Sequence, residues 1–404
     1  MFKPVRILQV SLLNLLLAGC AATHTNPSAG DTAVAQPPTD ASTETGTLPL
    51  TIPEPSASIQ AGQSIPGNSG FLQPNGQLTP NIQAYAQEVA RVRGIPLDHV
   101  ETLLKQAQYN ATAAKLMTPS KTRIRRSWVT YRNRFVEPIR INAGTEFWTA
   151  NKAMLDQTAS SYGVPPSIIV AIIGVETIYG RITGNFRVLD ALATLGFRHP
   201  DTRRPERSQL FRDQLADLME LDYQNKLDAS QVQGSFAGAM GLPQFMPGSL
   251  MRYAADGDND GRIDLLYSVD DAIVSVARFL RLHGWVPGLP VFAPATLPQD
   301  PQALVAGGLF PTLDWAQLQH QGAQLRPMQG NTGANSATDT SQEWMQHKLG
   351  IVDLLDEPRN LAEYRVGTPN FFAITHYNRS YFYATSVADL AQALADHMGY
   401  GWPN

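Results

Sequence analysis

Apolar residues recur at helical spacing over residues 80–90, 96–108 and 145–162, which predicts helices there. Tyr162-Gly163-Val164-Pro165-Pro166 interrupts the pattern, and proline is tolerated in a first helical turn. The run Ser167 to Val175 that follows carries no charge and is apolar on every side, so it predicts a fully buried helix. Further helical stretches are expected over 206–223 and 269–283, ending near Gly284, and from Ser386 to Ala395. Phe371-Phe372-Ala373-Ile374-Thr375 has strand character. Residues 285–300 are rich in proline and apolar residues and read as irregular, and the polar stretch 326–343 reads as a loop or insertion. No internal repeat is present. The pattern predicts a mainly α (α+β) protein whose folded body begins near Leu78-Thr79-Pro80.

The segment before that body has a different character. Residues 21 to about 76 are rich in Ala, Thr, Ser, Pro and Gly and hold few large apolar side chains. Such a composition cannot bury a core, and it reads as a tether. At the N-terminus, Lys3 and Arg6 precede a mostly apolar stretch, Ile7 to Ala18, which is broken by Gln9, Ser11 and Asn14. This stretch is too short and interrupted for a membrane span and fits an export signal. It closes on Leu17-Ala18-Gly19-Cys20, which resembles the lipobox of bacterial lipoproteins, where the cysteine is acylated; an unmodified export signal with an incidental cysteine is the alternative. By the same resemblance, Ala21 in place of an aspartate favours the outer membrane. Cys20 is the only cysteine, so neither an internal disulfide framework nor a cysteine-rich metal site is possible. With charged residues at 16% and a net charge of −4, no nucleic-acid partner is expected.

Glu176 ends the uncharged helical run. A carboxyl desolvated in this way has a raised pKa and can donate a proton near neutral pH. A structural glutamate paired with Arg181 or Arg187 is the competing reading. The segment Gly234 to Pro247 packs small residues that permit close approach of a ligand. Within it, Gln244 offers a donor and an acceptor and Phe245 a flat face for a sugar ring; a tight packing motif without ligand is the alternative. Asp256-Gly257-Asp258-Asn259-Asp260-Gly261-Arg262 reproduces the start of an EF-hand loop, with oxygens at alternate positions and a backbone carbonyl expected from Arg262. Tyr267 stands where the closing glutamate is usual.

Gly174-Val175-Glu176-Thr177, Leu189 to Leu195, Gly234 to Pro247 and His283-Gly284-Trp285 together resemble the membrane-bound lytic murein transglycosylase B family, from about residue 80 to 395 and in the same order. The resemblance implies a lysozyme-like core over about 145–285 with additional helical segments. It implies cleavage between N-acetylmuramic acid and N-acetylglucosamine without water, leaving a 1,6-anhydro ring, with Glu176 as both acid and base. It assigns substrate contacts to Tyr131, Arg207, Ser235, Gln244, Phe245, Tyr377, Asn378 and Tyr383, and a structural calcium to Asp256, Asp258, Asp260, Arg262 and a later aspartate, Asp271. No organic cofactor and no particular protein partner is implied; the expected partners are glycan strands and, through Cys20, a membrane, at the periplasmic face of the outer membrane.

The chain accordingly divides into a signal segment (1–19), a lipid-bearing Cys20 with tether (20–76) and a catalytic domain (77–404) that contains the calcium-type loop at 256–271. Two departures from the family pattern stand out. The stretch His199 to Arg207 is longer than expected, so Arg203 and Arg204 compete with Arg207 for the substrate-facing arginine, and Leu210 stands at an aromatic position. A hydrolytic muramidase and a non-catalytic peptidoglycan-binding lipoprotein remain as alternatives. A calcium-binding module would explain residues 256–271 only.

Overall fold

The computed structural model describes residues 70–326 and 340–400. The export signal, Cys20 and all but the end of the tether lie outside the described residues, as does most of the 326–343 stretch. The first helices are α1 (Pro80–Arg93), α2 (Leu97–Gln106) and α3 (Ala111–Met117), followed by the short α4 (Trp128–Arg132). The stretch expected as one helix over 145–162 is two helices, α5 (Pro138–Ala150) and α6 (Lys152–Tyr162). Asn151 leaves helical geometry between them, at φ −111°, ψ 20°.

α7 (Pro166–Thr177) is the predicted buried helix; every residue from Ser167 to Val175 is buried. Next come β1 (Phe186–Arg187), α8 (Val188–Phe197), α9 (Pro205–Tyr223), β2 (Gln233–Gly234), α10 (Pro247–Tyr253), α11 (Val269–Leu282) and α12 (Trp315–His320). The chain then forms a hairpin of β3 (Gly350–Asp356) and β4 (Leu361–Gly367), and ends in α13 (Pro369–Thr375) and α14 (Tyr381–His397). Residues 371–375 are therefore helical, not a strand. Pro369 presets the first turn and the Thr368 side chain accepts from the Asn370 N–H, and these local signals override the β preference of two phenylalanines.

Three hydrophobic cores follow from this order. The largest surrounds α7 with residues of α5, α6, α11, α13 and α14. A second joins α1, α2 and α3 to α8 and α9. The third is a small lobe in which the β3–β4 hairpin meets Trp315, Leu318 and Trp344. β1 and β2 pair as a two-residue antiparallel ladder, Phe186 with Gly234 and Arg187 with Gln233, which ties the loop after α7 to the glycine-rich segment. Among the described residues no single helix is long and apolar enough to cross a membrane, and the apolar α7 is core.

Candidate active site

Glu176 occupies the last turn of α7, where the apolar run ends. Part of its surface meets solvent, but the carboxyl lies deep enough that burial raises its pKa to about 7. The opposing influence is one hydrogen bond: Tyr383 on α14 donates its hydroxyl to Oε1 at 2.6 Å. The arginines that the sequence offered as partners are elsewhere, since Arg187 pairs with Asp190 and Arg181 is exposed at the turn after α7. Burial and Tyr383 are what shift Glu176; no second carboxylate acts on it among the described residues.

Tyrosines surround this carboxyl. Tyr377 stacks on Tyr383 with ring centroids 6.3 Å apart and planes 13° from parallel, and donates its hydroxyl to the Pro243 carbonyl at 2.5 Å. Tyr131 packs between Phe135 and Phe382, and its buried hydroxyl has no hydrogen-bond partner among the described residues. Burial pushes the phenols of Tyr131, Tyr377 and Tyr383 up, and the Glu176 charge adds to the shift in each. All three therefore remain neutral hydrogen-bonding groups.

The glycine-rich segment closes the other side. The Thr177 hydroxyl donates to the Leu242 carbonyl at 3.0 Å and accepts from the Gly180 N–H at 3.0 Å, so the residue after the acid is bound to the segment directly. A methyl group on Gly184 or Gly241 would run into main-chain carbonyls, those of Gly234 and Leu265, which explains the small residues. Ser235 Oγ accepts from the Ala239 N–H at 3.0 Å. Gln244 adopts a left-handed backbone (φ 51°), and its Nε2 donates to the carbonyls of Gly241 at 2.9 Å and Thr183 at 3.1 Å. Ser235 and Gln244 thus shape the segment themselves, and each stays partly exposed.

Two of the assigned contacts lie apart from the carboxyl. Phe245 is only 3% exposed and packs against Phe279 and Tyr377, so its ring is core and presents no open face to a sugar. Arg207 lies in the first turn of α9 with Asp201, Arg204, Glu206 and His199 as its charged neighbours, and none of these described interactions reaches Glu176. Leu210, on the same helix, is 61% exposed. Asn378 is half-buried beside Tyr377, and its carbonyl accepts from the Ser380 N–H. Two open surface hollows, one lined by Gly70 to Leu72, Lys105 to Tyr109 and Arg187 and the other by residues of α12, do not include Glu176.

The acidic loop draws three carboxylates together. One oxygen from each of Asp256, Asp258 and Asp260 lies within 4.8 Å of the others. Asp256 Oδ2 accepts from the Gly261 N–H at 2.9 Å, while its buried Oδ1 has no partner among the described residues. Such an orphaned carboxylate oxygen is what a cation would satisfy. Asp271 does not join the cluster. It is 1% exposed, and its oxygens accept from the N–H groups of Gly257 at 2.7 Å and Asp264 at 2.6 Å, so it closes the loop as an acceptor. Arg262 donates its N–H to Asp260 Oδ1 at 2.7 Å.

Sequence reasoning missed Thr177 as a hub and also Arg140, whose buried guanidinium donates from Nε to the Gly174 carbonyl at 2.9 Å. Arg140 precedes the helical stretch expected over 145–162, and no local sequence signal marks it.

One carboxyl with a raised pKa, set at the end of a fully buried helix and ringed by neutral phenols, is a group able to give and take a proton in a mainly helical body. The comparisons name the kind. Residues 77–392 match the transglycosylase SLT domain. The membrane-bound lytic murein transglycosylase B of Escherichia coli (strain K12) is 34% identical over 325 residues, covering 78% of this chain and 83% of the relative. The soluble lytic transglycosylase SltB1 of Pseudomonas aeruginosa superposes with TM-score 0.67 at 34% identity, covering 79% of this chain and 100% of the other. The Escherichia coli lytic transglycosylase Slt35, in a complex with calcium, superposes with TM-score 0.63 at 34% identity, covering 84% of this chain and 96% of the other. The chain belongs to this family: it is a lytic murein transglycosylase.

Proposed function

We propose that Glu176 alone carries the chemistry. Protonated, it donates to the glycosidic oxygen between N-acetylmuramic acid and N-acetylglucosamine, and the C1–O bond breaks. The substrate's own N-acetyl group stabilises the positive charge that develops at C1. The Glu176 carboxylate then takes the proton of the C6 hydroxyl as that oxygen bonds to C1, which closes the 1,6-anhydro ring and restores the acid. No water enters. The observation that carries this reading is the single carboxyl raised to about 7, on which no second carboxylate acts among the described residues. A two-carboxylate glycosidase places a second acid about 5–10 Å away.

Digestion of isolated murein sacculi with mass spectrometry of the soluble products tests it. The expected products are anhydromuropeptides; products heavier by one water would establish a hydrolytic muramidase instead.

Tyr383 orients the acid, and Tyr131, Ser235, Gln244, Tyr377 and Asn378 serve as the substrate-facing polar groups. Arg207 would reach only a more distant part of the substrate. Replacing Tyr383 with Phe removes the hydrogen bond that favours the ionised carboxyl. The Glu176 pKa then rises, so the decline in rate on the alkaline side moves to higher pH, by about one unit for a hydrogen bond to a charged acceptor. A pH–rate profile of Tyr383→Phe checks this, and a downward move would contradict it.

The loop at Asp256, Asp258 and Asp260 fits a structural calcium, with Arg262 supplying a carbonyl. Both the orphaned Asp256 oxygen and the relative captured with calcium support this. Lipid on Cys20 would hold the enzyme at the periplasmic face of the outer membrane, in keeping with the lipobox-like motif, Ala21 and a relative named as membrane-bound.

A further inference from the structure

We infer that Tyr179 is a positioning residue for Glu176: its ring, wedged between Gly144 on α5 and Gly174 on α7, holds the end of α7 in the turn that presents the acid to Tyr383. The inference rests on the reading of Glu176 as the acid.

Ile178, Tyr179 and Gly180 follow one another with φ of 51°, 57° and 86°. Left-handed geometry is natural for Gly180 and strained for the other two, above all for the β-branched Ile178. Strain of this kind persists only where the surroundings over-determine it, and it gathers at functional sites.

The surroundings do over-determine it. The turn folds the Tyr179 ring back onto its own helix, and a methyl group on either Gly144 or Gly174 would overlap the Tyr179 hydroxyl. Phe147 of α5 covers the ring, with centroids 5.4 Å apart. A methyl on Gly144 would also meet Leu394 Cδ2 at 2.5 Å, so α14, which carries Tyr383, closes on the same point. The Gly174 carbonyl accepts from Ile178 N–H at 3.1 Å and from Arg140 Nε at 2.9 Å, which uses both of its lone pairs. Gly174 and Glu176 are two residues apart on a helix that turns about 100° per residue, so they face nearly opposite sides. Tyr179 presses α7 from behind, and Tyr383 receives Glu176 in front.

The hydroxyl of Tyr179 is buried without a hydrogen-bond partner among the described residues. The hydroxyl end of the ring therefore fills the wedge by its volume and not through a hydrogen bond. Without it, the turn is held chiefly by the Thr177 hydroxyl's bond from Gly180 N–H, and Ile178 is freer to continue α7 as a right-handed turn and carry the acid away from Tyr383.

The test measures kcat and KM for anhydromuropeptide release from a soluble murein fragment, with thermal unfolding in parallel and Glu176→Gln as reference. Tyr179→Phe is expected to stay within about twofold of the parent. Tyr179→Ala is expected to lose about 100-fold in kcat with KM little changed, the scale for a reacting group displaced by about 1 Å. Tyr179→Leu, which keeps more of the buried volume, should fall between them and stands in if the alanine variant does not fold. A folded Tyr179→Ala or Tyr179→Leu with the parent's kcat would overturn the inference, as would a loss confined to KM. Parental activity that Glu176→Gln left intact would instead remove the acid assignment on which the inference rests.

Discussion

Glu176→Gln is expected to lower anhydromuropeptide release by about 10³-fold while binding to sacculi persists. The size is the middle of what one positioned acid–base group contributes, about 10² to 10⁴-fold. The substitution is close to isosteric, and the amide oxygen can still accept the Tyr383 hydroxyl that the carboxyl accepts at 2.6 Å. A structural side effect is therefore small, and thermodynamic linkage gives a check on that. The folded-state pKa of Glu176 is about 7, against an ordinary value of 4.5. The folded protein holds this proton more tightly than the unfolded chain, so stability falls as pH rises through that interval. The penalty is absent below about 4.5 and fully developed above about 7. Glutamine carries no such penalty. At pH 8 the variant should melt at or above the parent temperature, and the difference should close towards pH 5. Equal activity in variant and parent would exclude the mechanism; lost activity with a lower melting temperature at pH 8 would point to damaged structure.

The acid was legible because its signal is local: a long apolar run that ends in one carboxyl needs no tertiary information to be noticed. Its partner was not legible in that way. Composition offered Arg181 and Arg187 nearby, whereas the bonded group is Tyr383, 207 positions along the chain. Only the resemblance brought that tyrosine to the site. Most helices were readable from period, but the break at Asn151 between α5 and α6 was not, because apolar spacing continues across it. Residues 371–375 failed for the opposite reason, since their composition favours a strand while the Thr368 cap and Pro369 impose a helix. Phe245 was assigned a sugar-facing role by its chemistry, and its burial against Phe279 and Tyr377 depends on α11 and the chain after α13. The wedge of Tyr179 was invisible for a related reason, as two glycines on different helices acquire their meaning only from the ring between them.

The acidic loop shows the same division between motif and geometry. Three aspartates at alternate positions were read correctly as a converging cluster, within 4.8 Å in the fold. Asp271 was read as a further ligand, the fourth carboxylate of the set, but both its oxygens are engaged by loop N–H groups. These roles predict different behaviour. Calcium bound at about 100 times its dissociation constant stabilises the folded state by about 2.7 kcal/mol, which for a folded body of this size corresponds to about 4 °C in melting temperature. Chelator-treated protein should gain that increment when calcium is added and much less with magnesium, which demands a tighter octahedral shell and releases water reluctantly. Asp256→Ala removes the carboxylate with the orphaned oxygen, and with it the increment, while the metal-free melting temperature changes little. Asp271→Ala leaves the loop N–H groups of Gly257 and Asp264 without their acceptor, so it should lower the melting temperature with and without calcium. Scanning calorimetry of the three proteins, each with chelator and with calcium, separates the roles. If the parent shows no calcium increment, the loop is closed by its own hydrogen bonds alone. If Asp271→Ala abolishes the increment and leaves the metal-free protein unchanged, that residue is a ligand after all and the loop rearranges around the ion.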